Sequence, residues 1–442
     1  MRSRLIDGLT TTDALADVFS DLSFIESMLA FEAALARVEA RLGIIPDRAA
    51  RDIVHAAGES ARFDAAAMAR ATRQSATPGV PLVAALTERV RAIDEWSARF
   101  VHVGATSQDV VDTALVLTIS RAQSLLDADH VRLTTTLRAL SESHASSVML
   151  GRTLLQPAPP VTFGLKAAGW FAAEHRAWRQ LAEAFDRTRL LQFGGASGTL
   201  AALGEAGPEV SRALADELGL TSPEAPWHTS RDRLAGFVTA CGVYAGVLGK
   251  IARDISLLMQ HEVSEVSEAG GGSSTMPHKR NPSGSAIVLA AASRLPGLVA
   301  TFLGDMIQEH ERAVGGWQAE VPTVAAAVQA TGSALAALAD AMAHLTVSPA
   351  RMRENLDATR GLVYAERVMI RASALHGRDH ARRLVDTAIA ESRSTGATFG
   401  DIVRATPELV EAMGDAVQDF DRPEHYLGAA ESLRVALLAS AS

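Results

Sequence analysis

The sequence predicts an all-α fold in three consecutive parts, with a central bundle of five long helices. Apolar residues recur at steps of three and four over long stretches. No segment sustains the apolar–polar alternation of a half-buried strand. Aromatic residues are only 5% of the chain, which also argues against an all-β architecture. At about 150 residues per domain, the 442 residues suggest roughly three domains. The periodicity divides them at 1–100, 101–345 and 346–442.

Residues 1–100 read as shorter helices. The clearest is the amphipathic run from Asp21 to Leu42, punctuated by Gly43 and Pro46. The first long helix is expected from near Gln108 to about Val148. Thr106 and Ser107 are good N-caps, Thr106 and Asp109 have capping-box spacing, and Val111, Leu115, Ile119, Ala122 and Leu126 form the apolar stripe. A second spans roughly Val161 to Gln192 and ends at Gly194-Gly195.

The third carries Leu234, Phe237, Cys241, Tyr244, Leu248, Ile251, Ile255 and Leu258, a period of about 3.5 residues. It is expected to continue to about Glu268 and stop at Gly270-Gly271-Gly272, a length of ~50 Å. A fourth starts near Asn281-Pro282, with Arg294 and Pro296 marking a kink, and a fifth runs from about Pro322 to Leu345. Residues 346–442 read as short helices separated by Gly361, Gly377, Gly396 and Pro407.

Composition excludes several function classes. A single cysteine, Cys241, rules out an internal disulfide framework and a cysteine-based metal centre. A net charge of −9 with no basic block argues against nucleic-acid binding. The uncharged run Leu234 to Gly249 is shorter than the roughly 20 residues that cross a bilayer, and it reads as a buried helix segment. MRSRLIDGLTTTDALADVF has no apolar leader core, so a soluble, cytoplasmic protein without a membrane partner is expected. His261-Glu262 and His310-Glu311 do not extend to HExxH, so no metal site is expected.

Four segments concentrate groups able to do chemistry. GGGSSTMPHKRNP (270–282) joins two long helices but gathers Ser273, His278, Lys279, Arg280 and Asn281, where a plain linker would be Gly and Ser throughout. Lys279 and Asn281 stand just before a helix start, where backbone N–H groups favour an anion. VHVGATSQD (101–109) is a helix cap whose Thr106, Ser107 and Gln108 could also hold a carboxylate, beside His102. GRTLLQPAPPVTFG (151–164) reads as a proline-punctuated helix entry in which Thr153 and Gln156 could touch ligand. QEHERAVGGW (308–317) offers Arg312, either a solvated turn residue or an anion contact.

Together these segments resemble the fumarase/aspartase superfamily, which also holds the argininosuccinate and adenylosuccinate lyases. GSSTMPHKRNP (272–282) is similar to its signature loop, and HVGATSQDVVDTA (102–114) and GRTLLQPAPPVTFG to its other two active-site segments, in the same order. The resemblance implies a homotetramer with a twenty-helix core, active sites shared between three subunits and no cofactor. It implies proton transfer by Ser273, with Lys279 and Asn281 as carboxylate-binding residues and Thr106, Ser107 and Gln108 as the second binding segment.

One departure is informative. The lyases carry histidine after the threonine of the third segment, and this chain has Leu154. Leucine cannot transfer a proton, so an amine or hydroxide could not be assisted to leave. A carboxylate, with a pKa of about 4, can leave unassisted. That condition describes a lactone, and within the superfamily the chain most resembles the lactone-forming, cycloisomerase branch, a resemblance that implies a tricarboxylate diene from protocatechuate breakdown as substrate. GGASGTLAALG (194–204) and HERAVGGWQAE (310–320) also favour that branch. Ser273 and His102 both remain candidates for delivering the carbon-bound proton. The rival readings are a C–N lyase of the adenylosuccinate type, opposed by Leu154, and a non-catalytic helical scaffold, opposed by Ser273, Lys279 and Asn281.

Overall fold

The computed structural model describes residues 5–440, so the first four residues of the leader reading lie outside the described residues. The chain is mostly helical, and the named strands among the described residues make two small antiparallel pairs. Six helices position the functional segments: α1 (Asp21–Arg41), α2 (Ser107–Ser143), α3 (Phe163–Thr188), α4 (Asp232–Leu258), α5 (Ser283–Asp305) and α6 (Gly316–Ala343).

α1 starts where Ser20 Oγ accepts the Ser23 N–H at 3.2 Å. It buries Ile25, Met28, Leu29, Phe31, Leu35 and Val38. Glu32 and Glu39 are buried on the same helix.

α2 begins one residue from its expected start but ends at Ser143, because the chain turns there into a hairpin. Strand β1 (Val148–Thr153) pairs antiparallel with β2 (Gln156–Thr162), and α3 follows at once. The segment read as a proline-punctuated helix entry is therefore a strand pair. Pro157, Pro159 and Pro160 supply no donors, which a two-stranded ladder with free outer edges tolerates. The strands also approach closely. A Cβ at Gly151 would lie 2.3 Å from the Pro159 carbonyl oxygen, next to an irregularity of register between Met149 and Gly151.

α4 stops ten residues short of Glu268. Nothing local marks this end; a tertiary contact does. Glu265 is fully buried and takes two hydrogen bonds from Arg152, at 2.7 and 3.0 Å, and one from Asn355 at 2.8 Å. The chain is then extended as β3 (Val266–Ser267) against β4 (Thr346–Val347). α5 contains Pro296, as expected, and α6 starts six residues before Pro322, which it accommodates inside the helix.

By length and composition α4, α5 and α6 are each apolar enough to cross a membrane, more than the one short run read from the sequence. Burial in the protein covers 56% of the apolar stretch of α4 and 61% of that of α6, but only 22% of that of α5.

The chain forms two compact units. One comprises Met1–Val131, Ala177–Gly249 and Ile287–Ala337; the other comprises Arg132–Arg176, Lys250–Ala286 and Leu338–Ser442. In the first, Phe185 and Phe237 meet edge to face at 4.8 Å. In the second, Val148 and Leu150 of the hairpin join Leu356, Val368, Phe399, Val403 and Phe420 in one apolar core.

Candidate active site

In the first unit the site is built around the start of α2. Asp109 is fully buried and its carboxylate accepts from four groups. These are the N–H of Thr106 at 3.0 Å, of Gly194 at 3.1 Å and of Gly195 at 2.9 Å, with His228 Nε2 at 2.7 Å. It therefore ties the capping segment to the loop at 194–195. Gly195 has φ +69°, and a Cβ there would lie 2.8 Å from the Gly104 carbonyl oxygen. Only glycine meets both conditions.

Gln108 and Arg312 brace the same region. The Gln108 amide donates to Asp112 Oδ2 at 3.1 Å and to the His228 carbonyl at 2.8 Å, and its oxygen accepts from Arg312 at 2.9 Å. Arg312 also donates to the carbonyls of Gly195 at 3.2 Å and Ala196 at 2.8 Å. Beneath them Asp112 and Glu320 flank the fully buried Arg231 guanidinium, which donates to Asp112 at 2.8 and 3.0 Å. Burial works against the Asp112 charge, but Arg231, Trp317 and Gln192 outweigh it and hold the carboxyl below its ordinary value. Thr106 and Ser107, by contrast, are partly exposed.

His102 lies on the turn before this helix, with φ +64°. Its Nδ1 is 2.6 Å from Glu32 Oε1 on α1.

In the second unit Thr153 and Gln156 pair across the hairpin turn, and Leu154 is 97% exposed at its tip. The 270–282 loop is pinned at its base by the Asn281 N–H to Gly271 carbonyl bond, 2.8 Å, and by a bridge between Gly272 and Arg280. Ser273 Oγ accepts from the N–H groups of Thr275 at 3.3 Å and Met276 at 3.1 Å. Lys279 is exposed and Asn281 partly so.

The helix start after them differs from the sequence expectation in one respect. The buried Glu268 carboxylate already accepts from the N–H groups of Gly284 at 2.9 Å and Ser285 at 3.1 Å, and from the Ser285 hydroxyl. An internal anion thus occupies the N-terminus of α5.

His102, Thr106, Ser107, Gln108 and Arg312 belong to the first unit, and Thr153, Gln156, Ser273, Lys279 and Asn281 to the second. Sequence reasoning missed Glu32, His228 and Glu268. Glu32 left a signal, since it and Glu39 stand seven residues apart among apolar positions of α1, where a carboxylate is costly. Glu268 left none, because its partners lie sixteen and seventeen residues further along.

The family described as Lyase matches residues 9–297, more than half of the chain. The chain belongs to this lyase family, within the fumarase/aspartase superfamily. One member, the 3-carboxy-cis,cis-muconate cycloisomerase of Pseudomonas aeruginosa, is 46% identical over 438 residues, covering 97% of this chain and 95% of that one. The solved 3-carboxy-cis,cis-muconate lactonizing enzyme from Pseudomonas putida superposes with a TM-score of 0.93 at 42% identity, covering 99% of both chains. The nitrosuccinate lyase of Streptomyces davaonensis is 39% identical, covering 94% of this chain and 90% of that one.

Proposed function

We propose that the protein is a 3-carboxy-cis,cis-muconate cycloisomerase, closing a tricarboxylate diene to 4-carboxymuconolactone in protocatechuate breakdown. Relatives of that name spanning nearly the whole chain support the assignment. The observation that carries it is the near full-length likeness to three cycloisomerases at 43–46% identity, and Leu154, exposed at the hairpin tip, agrees with a leaving group that needs no acid.

In the forward direction a substrate carboxylate oxygen bonds to an alkene carbon. The electron pair moves to the carbon alpha to another carboxylate, giving an aci-carboxylate dianion. Proton transfer to that carbon yields the lactone. Because the nucleophile is part of the substrate, fixing its geometry supplies on the order of 7–11 kcal/mol. Lys279, Asn281, Thr106, Ser107, Gln108, Thr153, Gln156 and Arg312 hold the carboxylates. Positive charge and donors fixed in advance stabilise the dianion.

Ser273 delivers the proton. Its Oγ already accepts two backbone N–H groups, which favour the alkoxide left behind. In the reverse direction the same serine removes the proton and the carboxylate departs unassisted past Leu154.

The protein acts as a homotetramer with a twenty-helix core, each site drawing its three segments from three subunits and needing no cofactor. Only 22% of the apolar stretch of α5 is buried within the chain, which supports this assembly.

Following the loss of diene absorbance, with identification of the product, tests the reaction. Consumption with lactone formation is expected, and an inert substrate refutes it. The likeness to nitrosuccinate lyase favours one second reading, elimination of a stabilised anion from a substituted succinate, for which Leu154 is equally suited. Nitrosuccinate in the same assay separates the two.

A further inference from the structure

Glu32 is 1% exposed on α1, and its Oε2 has no hydrogen-bond partner among the described residues. A carboxylate so placed is costly unless a charged group answers it. His102 is that group, through the 2.6 Å contact of Nδ1 with Glu32 Oε1. The histidine backbone is at φ +64°, a left-handed conformation that few L-residues adopt, on the turn before α2. The side chain stays 16% exposed, and Nε2 takes no partner among the described residues.

We infer that Glu32 is a positioning residue: it fixes the His102 ring through Nδ1, keeps it positively charged, and leaves Nε2–H free for a substrate carboxylate. This rests on the site proposed above and separates the two candidate proton donors. His102 becomes a charged anchor, and Ser273 the source of the carbon-bound proton. Burial works against the charged ring, but the charge and hydrogen bond of Glu32, with the charge of Asp109, outweigh it and raise the His102 pKa above its ordinary value. A proton held more tightly is a poorer one to give away and a better fixed charge. The charged groups facing the ring are Glu32 from α1 and Asp109 from α2. Glu39 faces Glu32, and burial pushes its carboxyl up to about 8, so it adds little charge near neutrality.

The test is a carbon-13 NMR titration of ring-labelled histidine in the full-length protein, with His102 assigned from His102→Asn. The wild-type midpoint is expected above the ordinary histidine value of about 6.5, and Glu32→Gln should lower it. Glu32→Gln should raise KM for carboxymuconate about ten- to hundredfold with a smaller change in kcat. In a His102→Asn background it should raise KM no further. A wild-type midpoint at or below the ordinary value, an unmoved midpoint in Glu32→Gln, or an equal KM effect in both backgrounds overturns the inference. The wild-type titration decides even where Glu32→Gln does not fold. Expected midpoints in a protein inert towards carboxymuconate support the Glu32–His102 pairing and refute the proposed reaction instead.

Discussion

Thr153 pairs with Gln156 across a two-residue turn made of Leu154 and Leu155, whose φ angles are +50° and +64°. Such turns favour asparagine and glycine, and each L-residue in that conformation costs on the order of 1–2 kcal/mol. Both leucines are also exposed, 97% and 73%. Two strained, uncovered leucines at one tip do nothing for the hairpin itself, and strain of this kind gathers at working sites.

Replacing Leu154→Asn together with Leu155→Gly should therefore stabilise the protein, by about 1–3 kcal/mol, while lowering kcat/KM for carboxymuconate. Thermal melts beside steady-state rates measure both. Unchanged activity, or a lower Tm, contradicts the reading of the tip.

Ser273→Ala should lower turnover by roughly 10²–10⁴-fold, the usual worth of a positioned proton donor. Among the described residues its hydroxyl bonds within its own loop, to Thr275 and Met276, so the elution volume of the protein should not change. A rate near that of the wild type removes Ser273 from the mechanism.

Glu39 links stability to pH. Burial, with the charge of Glu32, pushes its carboxyl from 4.5 up to about 8. Between those values the native protein holds a proton that the unfolded chain has released, so this residue makes stability fall as pH rises through that window. Glu39→Gln should be nearly neutral at pH 4.5 and should stabilise by a few kcal/mol, to order of magnitude, at pH 8. Urea unfolding at the two pH values checks this; an equal effect at both contradicts it.

The long helices were legible because their apolar period repeats over many turns, and α1, α2 and α5 begin within a few residues of the positions read from the sequence. The 270–282 segment was legible as a break between two helices, and it does lead into α5. What failed was set at long range. α4 ends where Glu265 meets Arg152 and Asn355 rather than at the glycines beyond it. The hairpin was hidden by three prolines in seven residues of β2, which suppress the strand pattern without preventing a two-stranded pair. The anion at the start of α5 turned out to be Glu268, because a sequence shows a helix terminus but not what is folded against it. Glu32 was readable in principle, as a carboxylate among apolar neighbours on α1.

The group expelled from the substrate is expected to depart without a proton, because Leu154 has none to give. Turnover measured in the elimination direction, across substrates matched in skeleton but differing in leaving group, tests it most directly. Rapid opening of 4-carboxymuconolactone, with no detectable release of amine or hydroxide from the matching succinates, is the predicted result. Amine release at a comparable rate contradicts it.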